Sequence, residues 1–329
     1  MIDDQTELLT KIAVLYYQDG ATQDEISRRF SISRVKVGRL LKKARDEGVV
    51  EINVRHHPVY SAGLEQRLQR TFGLKRALIA LDKSSESEQR QQVATVVSKY
   101  LSSHLRDGDV VAIGQGRNVA AVAENGCPVG ESSVRFVSAI GGTYPAGDEV
   151  NADHICRKLA RRFNGASETL YAPAYVEPPE LVELFMENPT IKQTLDRARK
   201  ADLALVGIGD MNEGSHMLKL GWFSHQDLLR GRSELGLVGD VMGYEFFRLD
   251  GYCDDSMIKG KIVGLRMDEL RQVPCVIGMA SESSKVLAIH GALKTGCIDI
   301  LATSVNNALA LLSLAEAERT ESEADKSAL

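Results

Sequence analysis

The chain has 329 residues, of which 43% are hydrophobic and 26% are charged, and its formal net charge is -5. This length predicts about two domains, and the composition is ordinary for a soluble globular protein with a sizeable core. A largely disordered chain is excluded, and so is a protein that coats nucleic acid over its whole surface.

The cysteines and histidines point to no metal and no disulfide framework. The five cysteines are scattered without a C-x-x-C pair, and the histidine pair 56–57, His216, His225 and His290 lack metal-ligand spacing. The start, MIDDQ, lacks the basic and apolar regions of a signal peptide, and no apolar run approaches ~18 residues. We therefore expect a soluble cytoplasmic protein without metal or other cofactor.

The first predicted elements are two helices. Apolar residues recur every three or four positions between 8 and 16, and the Asp-Gly pair at 19–20 ends this first helix. Thr22 and Glu25 have the spacing of a capping box, which predicts a second helix that ends near Phe30.

A third predicted helix follows after a three-residue turn. Ser33 is its expected N-cap, and the helix extends to Glu47 before Gly48. Residues 22–47 therefore predict a helix-turn-helix, the common DNA-binding motif. The segment 49–54 alternates as a strand would and predicts a wing.

Charge supports a DNA-binding role for this motif. Eight basic residues and no acidic residue lie between Arg28 and Arg45, whereas residues 58–329 are net acidic. One face of the third helix is apolar and the opposite face is basic. The residues predicted to contact operator DNA are Gln23, Ser33, Arg34, Val35, Lys36, Arg39, Lys42 and Lys43. The alternative is a solvated basic helix that contacts nothing.

The chain beyond His57 has a different pattern. We place the domain boundary at the His-His-Pro segment, which gives a DNA-binding domain of 1–57 and a second domain of 58–329. Helical stretches alternate with short apolar runs, which is typical of an α/β domain with a mainly parallel sheet. The predicted strands are 77–81, 110–113, 134–140, 203–208, 275–279 and 298–301.

A set of short motifs runs along the whole chain: YYQDGATQDEIS (16–27), SRVKVGRLL (33–41), AIGQG (112–116), GG (141–142), APA (172–174), VGIG (206–209), GDVMGY (239–244), SK (284–285) and GALK (291–294). These motifs resemble those of the SorC (SorC/DeoR-type) family of sugar-responsive transcriptional regulators. Each motif alone is weak, but the set covers nearly the whole sequence in the family's order.

The resemblance implies a winged helix-turn-helix followed by a larger α/β domain similar to sugar-phosphate isomerases and glucosamine-6-phosphate deaminase. It also implies that the cleft corresponding to the active site of those enzymes binds a phosphorylated sugar effector. By the same resemblance the protein is a homo-oligomer, a tetramer built as a dimer of dimers, that binds operator DNA. Its expected role is a repressor of a carbohydrate-utilisation operon.

The residues themselves predict an effector cleft where several strands end in glycine-rich loops. Ligands in open α/β sheets bind beyond the carboxyl ends of the strands, and backbone N–H groups at such turns bind anions. A lone Gly-x-Gly after a strand could equally be a tight turn. The predicted loop residues are Gly114, Gln115, Gly116, Arg117, Asn118, Gly141, Gly142, Thr143, Gly207, Gly209 and Asp210.

Two further effector residues are predicted from their charge. Asp240 stands in an apolar segment, where a carboxylate that accepts hydrogen bonds from sugar hydroxyls would be useful; a turn or helix-cap aspartate is the alternative. Lys285 lies near the start of a helix and needs an anionic partner, for which a ligand phosphate is one candidate. An ordinary surface lysine is the other interpretation.

Two other classes of protein stay open at this point. An active sugar-phosphate isomerase or deaminase with a DNA-binding domain would need a positioned acid and base in the cleft. Asp210 and Asp240 are available, but no histidine follows either of them at a connectable spacing. A structural DNA-binding protein with an oligomerising body would not need glycine-lined strand ends. Regulation without catalysis is the expected function.

Overall fold

The computed structural model describes residues 4–50, 58–125, 133–143 and 148–327. The chain divides into two compact units, residues 1–57 and 58–329. Each unit has its own hydrophobic core.

The first unit contains three helices, α1 (Asp4–Tyr17), α2 (Gln23–Phe30) and α3 (Arg34–Asp46). The Thr22 side chain accepts from the Glu25 backbone while Glu25 accepts from the Thr22 backbone, so the predicted capping box is present. Ser33 caps α3 by accepting from the Lys36 N–H at 3.2 Å.

The small core of this unit joins all three helices. Ile12 of α1, Ile26 of α2, and Val37 and Leu41 of α3 are each at most 3% exposed and pack together. The apolar stripe of α3 therefore faces inward, as its periodicity predicts. Residues 51–54 of the predicted wing lie outside the described residues, so the wing stays a prediction.

The second unit is built on one nine-stranded sheet. Seven parallel strands occur in the order β1-β9-β8-β5-β2-β3-β4, and β6 and β7 form an antiparallel hairpin on β5. The strands are β1 (Arg76–Ala80), β2 (Val110–Ile113), β3 (Arg135–Ser138), β4 (Ala166–Glu168), β5 (Leu203–Asp210), β6 (Leu237–Val241), β7 (Glu245–Arg248), β8 (Val276–Met279) and β9 (Ile300–Ser304). The expected α/β fold with a mainly parallel sheet is confirmed.

Helices connect these strands. They are α4 (Pro58–Phe72), α5 (Glu86–His104), α6 (Arg117–Glu124), α7 (Ala152–Arg162), α8 (Glu180–Glu187), α9 (Pro189–Arg199), α10 (His216–Lys219), α11 (His225–Ser233), α12 (Met267–Leu270), α13 (Val286–Lys294) and α14 (Val305–Ser327). Within the described ranges, none is both long and apolar enough to cross a membrane.

Both faces of the parallel sheet are buried. Along β5, Ala204 and Val206 belong to one hydrophobic core and Leu203 and Leu205 to another on the opposite face. Parallel strands that are buried on both faces appear in the sequence as continuous apolar runs. Most of the strands could therefore be predicted from the sequence.

The strand order places a crevice between β2 and β5. From β2 the chain proceeds outward to β3 and β4, and then returns to place β5 on the other side of β2 before adding β8 and β9. This reversal is a topological switch point, where the loops after the two strands diverge and leave space for a ligand.

Candidate functional site

The first candidate site is the outer face of α3. Arg34, Val35, Lys36, Arg39 and Lys42 are exposed, and Val35 is 67% exposed although it is apolar. Ser33 serves as the N-cap, Lys43 is half-buried, and half-buried Gln23 approaches α3 at Gly38. The residues predicted to read DNA thus lie on or beside one helix, mostly on its solvent face.

The charged side chains on α3 have only weak partners. Arg34 pairs with Asp24 at 3.6 Å and Lys43 with Glu47 at 3.4 Å, and between 38% and 68% of each of the four side chains is exposed. Exposed pairs of this kind contribute about 0 to 1 kcal/mol, so both cations can exchange their carboxylates for DNA phosphates at little cost.

The second candidate site is a cleft at the switch point. It contains about 590 Å³ of empty space, a figure that includes space open to solvent. The predicted residues that line it are Gln115, Gly116, Arg117, Asn118, Gly207, Gly209, Asp210, Asp240 and Lys285. The structure adds Ile208, Ser215, Met242 and Gly243, which the sequence argument did not include.

One end of the cleft is the N-terminus of α6. Gly116 precedes the helix with φ +115°, a conformation that favours glycine, and no side chain caps the helix at this position. The first N–H groups of α6 are therefore available to an anion, and the helix dipole favours negative charge there. Arg117 lies on the same first turn and lines the cleft.

Asp240 also lines the cleft. It lies on β6 directly across from Gly209 of β5, and a Cβ added at Gly209 would overlap its carboxylate. Asp240 is 2% exposed, and its Oδ1 accepts from the Gly243 N–H at 2.6 Å. Burial raises the pKa of Asp240 to about 7, although this hydrogen bond and the charge of Lys285 oppose the rise.

Two buried amides that line the cleft have unpartnered acceptor atoms. Gln115 donates from Nε2 to the Met242 carbonyl at 3.2 Å, and Asn118 donates from Nδ2 to Glu282 at 3.0 Å. Their Oε1 and Oδ1 atoms are buried without a hydrogen-bond partner among the described residues, as is Ser215 Oγ. Such atoms are costly to leave unpaired, and ligand hydroxyl groups could satisfy them.

Lys285 is held in the cleft by two groups of the protein. It is only 8% exposed, donates to the Ile208 carbonyl at 2.9 Å and pairs with Glu282 at 3.0 Å. The surface-lysine interpretation is therefore wrong, because the side chain is buried. Its anionic partner in this structure is Glu282, a residue that the sequence argument missed although it stands three positions earlier.

Four predicted residues do not line the cleft. Gly114 lies beneath it, where its N–H donates to the Leu205 carbonyl. The other three, Gly141, Gly142 and Thr143, belong to a segment that pairs elsewhere: Gly142 exchanges backbone hydrogen bonds with residues 172–174, and Thr143 donates to Asn151. A Cβ at Gly141 would lie 2.5 Å from the Ala172 carbonyl oxygen. Here glycine permits close backbone packing, and an effector contact stays a prediction.

A helix-turn-helix unit followed by an α/β unit with a polar cleft at its switch point defines a class of two-domain, ligand-responsive regulators. A family model described as "Putative sugar-binding domain" matches residues 56–313. The chain belongs to this family, the SorC type of sugar-binding transcriptional regulators.

Similar proteins cover both units. The chain is 30% identical to the transcriptional regulator LsrR of Klebsiella pneumoniae over 94% of each chain. The full-length sorbitol operon regulator SorC of the same species has a solved structure with a TM-score of 0.71 and 29% identity, which covers 95% of this chain and all of that one.

One similar solved structure contains a single domain. The sugar-binding domain of a transcriptional repressor from Vibrio fischeri is 56% identical, with a TM-score of 0.73, over 78% of this chain and 99% of that one.

Proposed function

We propose that the protein is a repressor that binds operator DNA through α3. A phosphorylated sugar in the cleft would either lower or raise the affinity of the protein for that DNA. The target of the protein would be a carbohydrate-utilisation operon, because similar proteins are named as a sorbitol operon regulator and as a transcriptional repressor. Binding without turnover is supported by the names of its relatives, which are regulators.

The observation that carries the effector proposal is that one cleft contains two kinds of binding group. The first kind comprises the uncapped N-terminus of α6, Arg117 and Lys285, groups that bind a phosphate. The second kind comprises Asp240 and the unpartnered acceptors of Gln115 and Asn118, groups that accept from hydroxyls. A sugar phosphate carries both chemistries in one molecule.

The proposed mechanism is thermodynamic linkage between the two sites. An effector that binds one oligomer geometry better than another changes operator affinity by that same differential free energy. A homo-oligomer, with a dimer of dimers as the family resemblance implies, is part of this proposal. Light scattering of the full-length protein tests it: a mass of four chains is expected, and a monomer would contradict the mechanism.

A panel of sugar phosphates, each matched with its unphosphorylated sugar, tests the effector proposal. The DNA for this assay is first selected from a random library by its binding to the protein. The affinity of the protein for the selected DNA is then measured by fluorescence anisotropy. We expect at least one phosphorylated member to bind saturably and to change DNA affinity about 5-fold or more. Turnover of a panel member would favour the enzyme alternative, and no response to any member would contradict the proposal.

The DNA-binding surface is tested with Arg39→Ala. Arg39 is exposed on α3, so the substitution should leave folding intact and weaken binding to the selected DNA about tenfold or more. Lys11→Ala is the matched control, because Lys11 is an exposed cation on α1 that pairs with Glu7. Affinity for Arg39→Ala equal to that of the Lys11 variant would contradict the assignment.

A further inference from the structure

Glu282 contacts three of the residues that line the cleft, Asn118, Lys285 and Arg117. The side chain is 4% exposed, and its Oε2 accepts from Asn118 Nδ2 and pairs with Lys285 Nζ, both at 3.0 Å. Glu282 is not itself among the residues that line the cleft. It therefore acts on the cleft only through these neighbours.

Two arginines contact the other oxygen of the same carboxylate. Arg90 of α5 lies 3.3 Å from Oε1 and Arg117 of α6 lies 3.9 Å from it. A single buried carboxylate thus faces three cations, Lys285 included. Burial alone would raise the pKa of Glu282, but Lys285 and the hydrogen bond from Asn118 hold the pKa well below its ordinary value. Glu282 is a permanent anion in this cluster.

The same carboxylate fixes which atom of Asn118 is left unpartnered. Because Nδ2 donates to Glu282, Oδ1 is the atom that a ligand could still pair with. That atom can accept from a hydroxyl but cannot bind a phosphate oxygen. Glu282 therefore favours hydroxyl recognition at Asn118 while it reduces the positive charge that Arg117 and Lys285 present.

We propose that Glu282 is an internal counter-ion that makes the cleft select sugar phosphates over free inorganic phosphate. The carboxylate keeps the cations paired in the empty protein, so a bare anion gains little by entering. A sugar phosphate gains more, because its hydroxyls also pair with the amide acceptors. This inference rests on the proposed function and adds to it the residue that excludes simple anions.

The test is Glu282→Gln in the full-length protein, with inorganic phosphate as the probe. Removing one negative charge from a part-buried cation cluster should tighten phosphate binding about tenfold and enlarge the thermal stabilisation by phosphate. It should also reduce the preference for sugar phosphate over phosphate. The proposal is overturned if Glu282→Gln binds inorganic phosphate as weakly as the wild type, or more weakly.

Two further variants keep the result interpretable. Glu245→Gln removes another buried carboxylate, which pairs with Arg266 at 3.2 Å outside the cleft, and should leave phosphate binding unchanged. Arg90→Gln removes a cation from the Glu282 cluster and should weaken phosphate binding. If this variant binds phosphate with wild-type affinity, the proposal is also overturned.

The wild-type protein distinguishes a failure of this inference from a failure of the proposed function. If the wild type binds no sugar phosphate, the proposed function fails. If it binds one and only the variants give unexpected results, this inference alone fails.

Discussion

Replacing Asp240 by Asn should change how the stability of the second unit depends on pH. The carboxyl group is fully buried beside Gly209, and its pKa is raised from 3.8 to about 7. Between about pH 4 and pH 7 the folded protein keeps a proton that the unfolded chain has lost. The free energy of unfolding therefore falls as the pH rises through this window. Above it, the titration of Asp240 causes no further change.

The magnitude follows from the two pKa values. They correspond to about 3 kcal/mol of lost stability between pH 5 and pH 8.5, a loss that the Asp240→Asn variant avoids because its side chain is neutral throughout. The amide oxygen of the variant can still accept from Gly243. Relative to the wild type, the variant should therefore gain up to this amount of stability between pH 5 and pH 8.5.

Urea unfolding at several pH values measures this difference. Trp222 is the only tryptophan of the chain and stacks on Tyr175 at 5.6 Å, so its fluorescence reports on the second unit. Burial also raises the pKa of Glu245 to about 7, and for this reason the difference between variant and wild type is the quantity to compare. Parallel pH profiles for the two proteins would refute the reasoning.

Two other substitutions test local packing. Gly209→Ala should destabilise the protein by about 1 to 3 kcal/mol and abolish the effector response, because its Cβ would overlap the Asp240 carboxylate. Gly207→Ala is its control, since the nearest atom would lie at an ordinary 3.5 Å; equal effects on urea unfolding would refute the steric argument. Ser33→Ala should destabilise the first unit by about 1 kcal/mol, because it removes the side chain that accepts from the Lys36 N–H. Unfolding followed by circular dichroism measures this loss, and an unchanged transition would contradict it.

The sequence predicted those elements whose signals are local. The caps at Thr22 and Ser33 depend on residues three positions apart, and both are present. Buried parallel strands such as β2 and β5 appear as apolar runs that end in glycine. The β6–β7 hairpin was missed because its segment 237–243 contains glycines and an aspartate, which interrupt the apolar pattern of a strand.

The candidate site was predicted in part for the same reason. Asp240 stood out as a charge in an apolar segment and Lys285 as a cation near a helix start, and both are buried in the cleft. Lys285 and Glu282 are three positions apart, so their pairing could be expected from the sequence. Arg90 is 192 residues from Glu282 and contacts it only because the chain folds. The glycine pair 141–142 was assigned to the cleft from its composition, because packing against residues 172–174 leaves no local signal.

Strand β5 gives the cleft a modular construction. Its first half pairs with β2 and β8 in the parallel sheet, and its last three residues pair with the β6–β7 hairpin. Arg117 at the start of α6 and Lys285 just before α13 therefore lie outside the hairpin that carries Asp240. For an engineer this separates two tasks: exchanging residues 237–248 between relatives would alter Asp240 and its surroundings, while both cations stay in place.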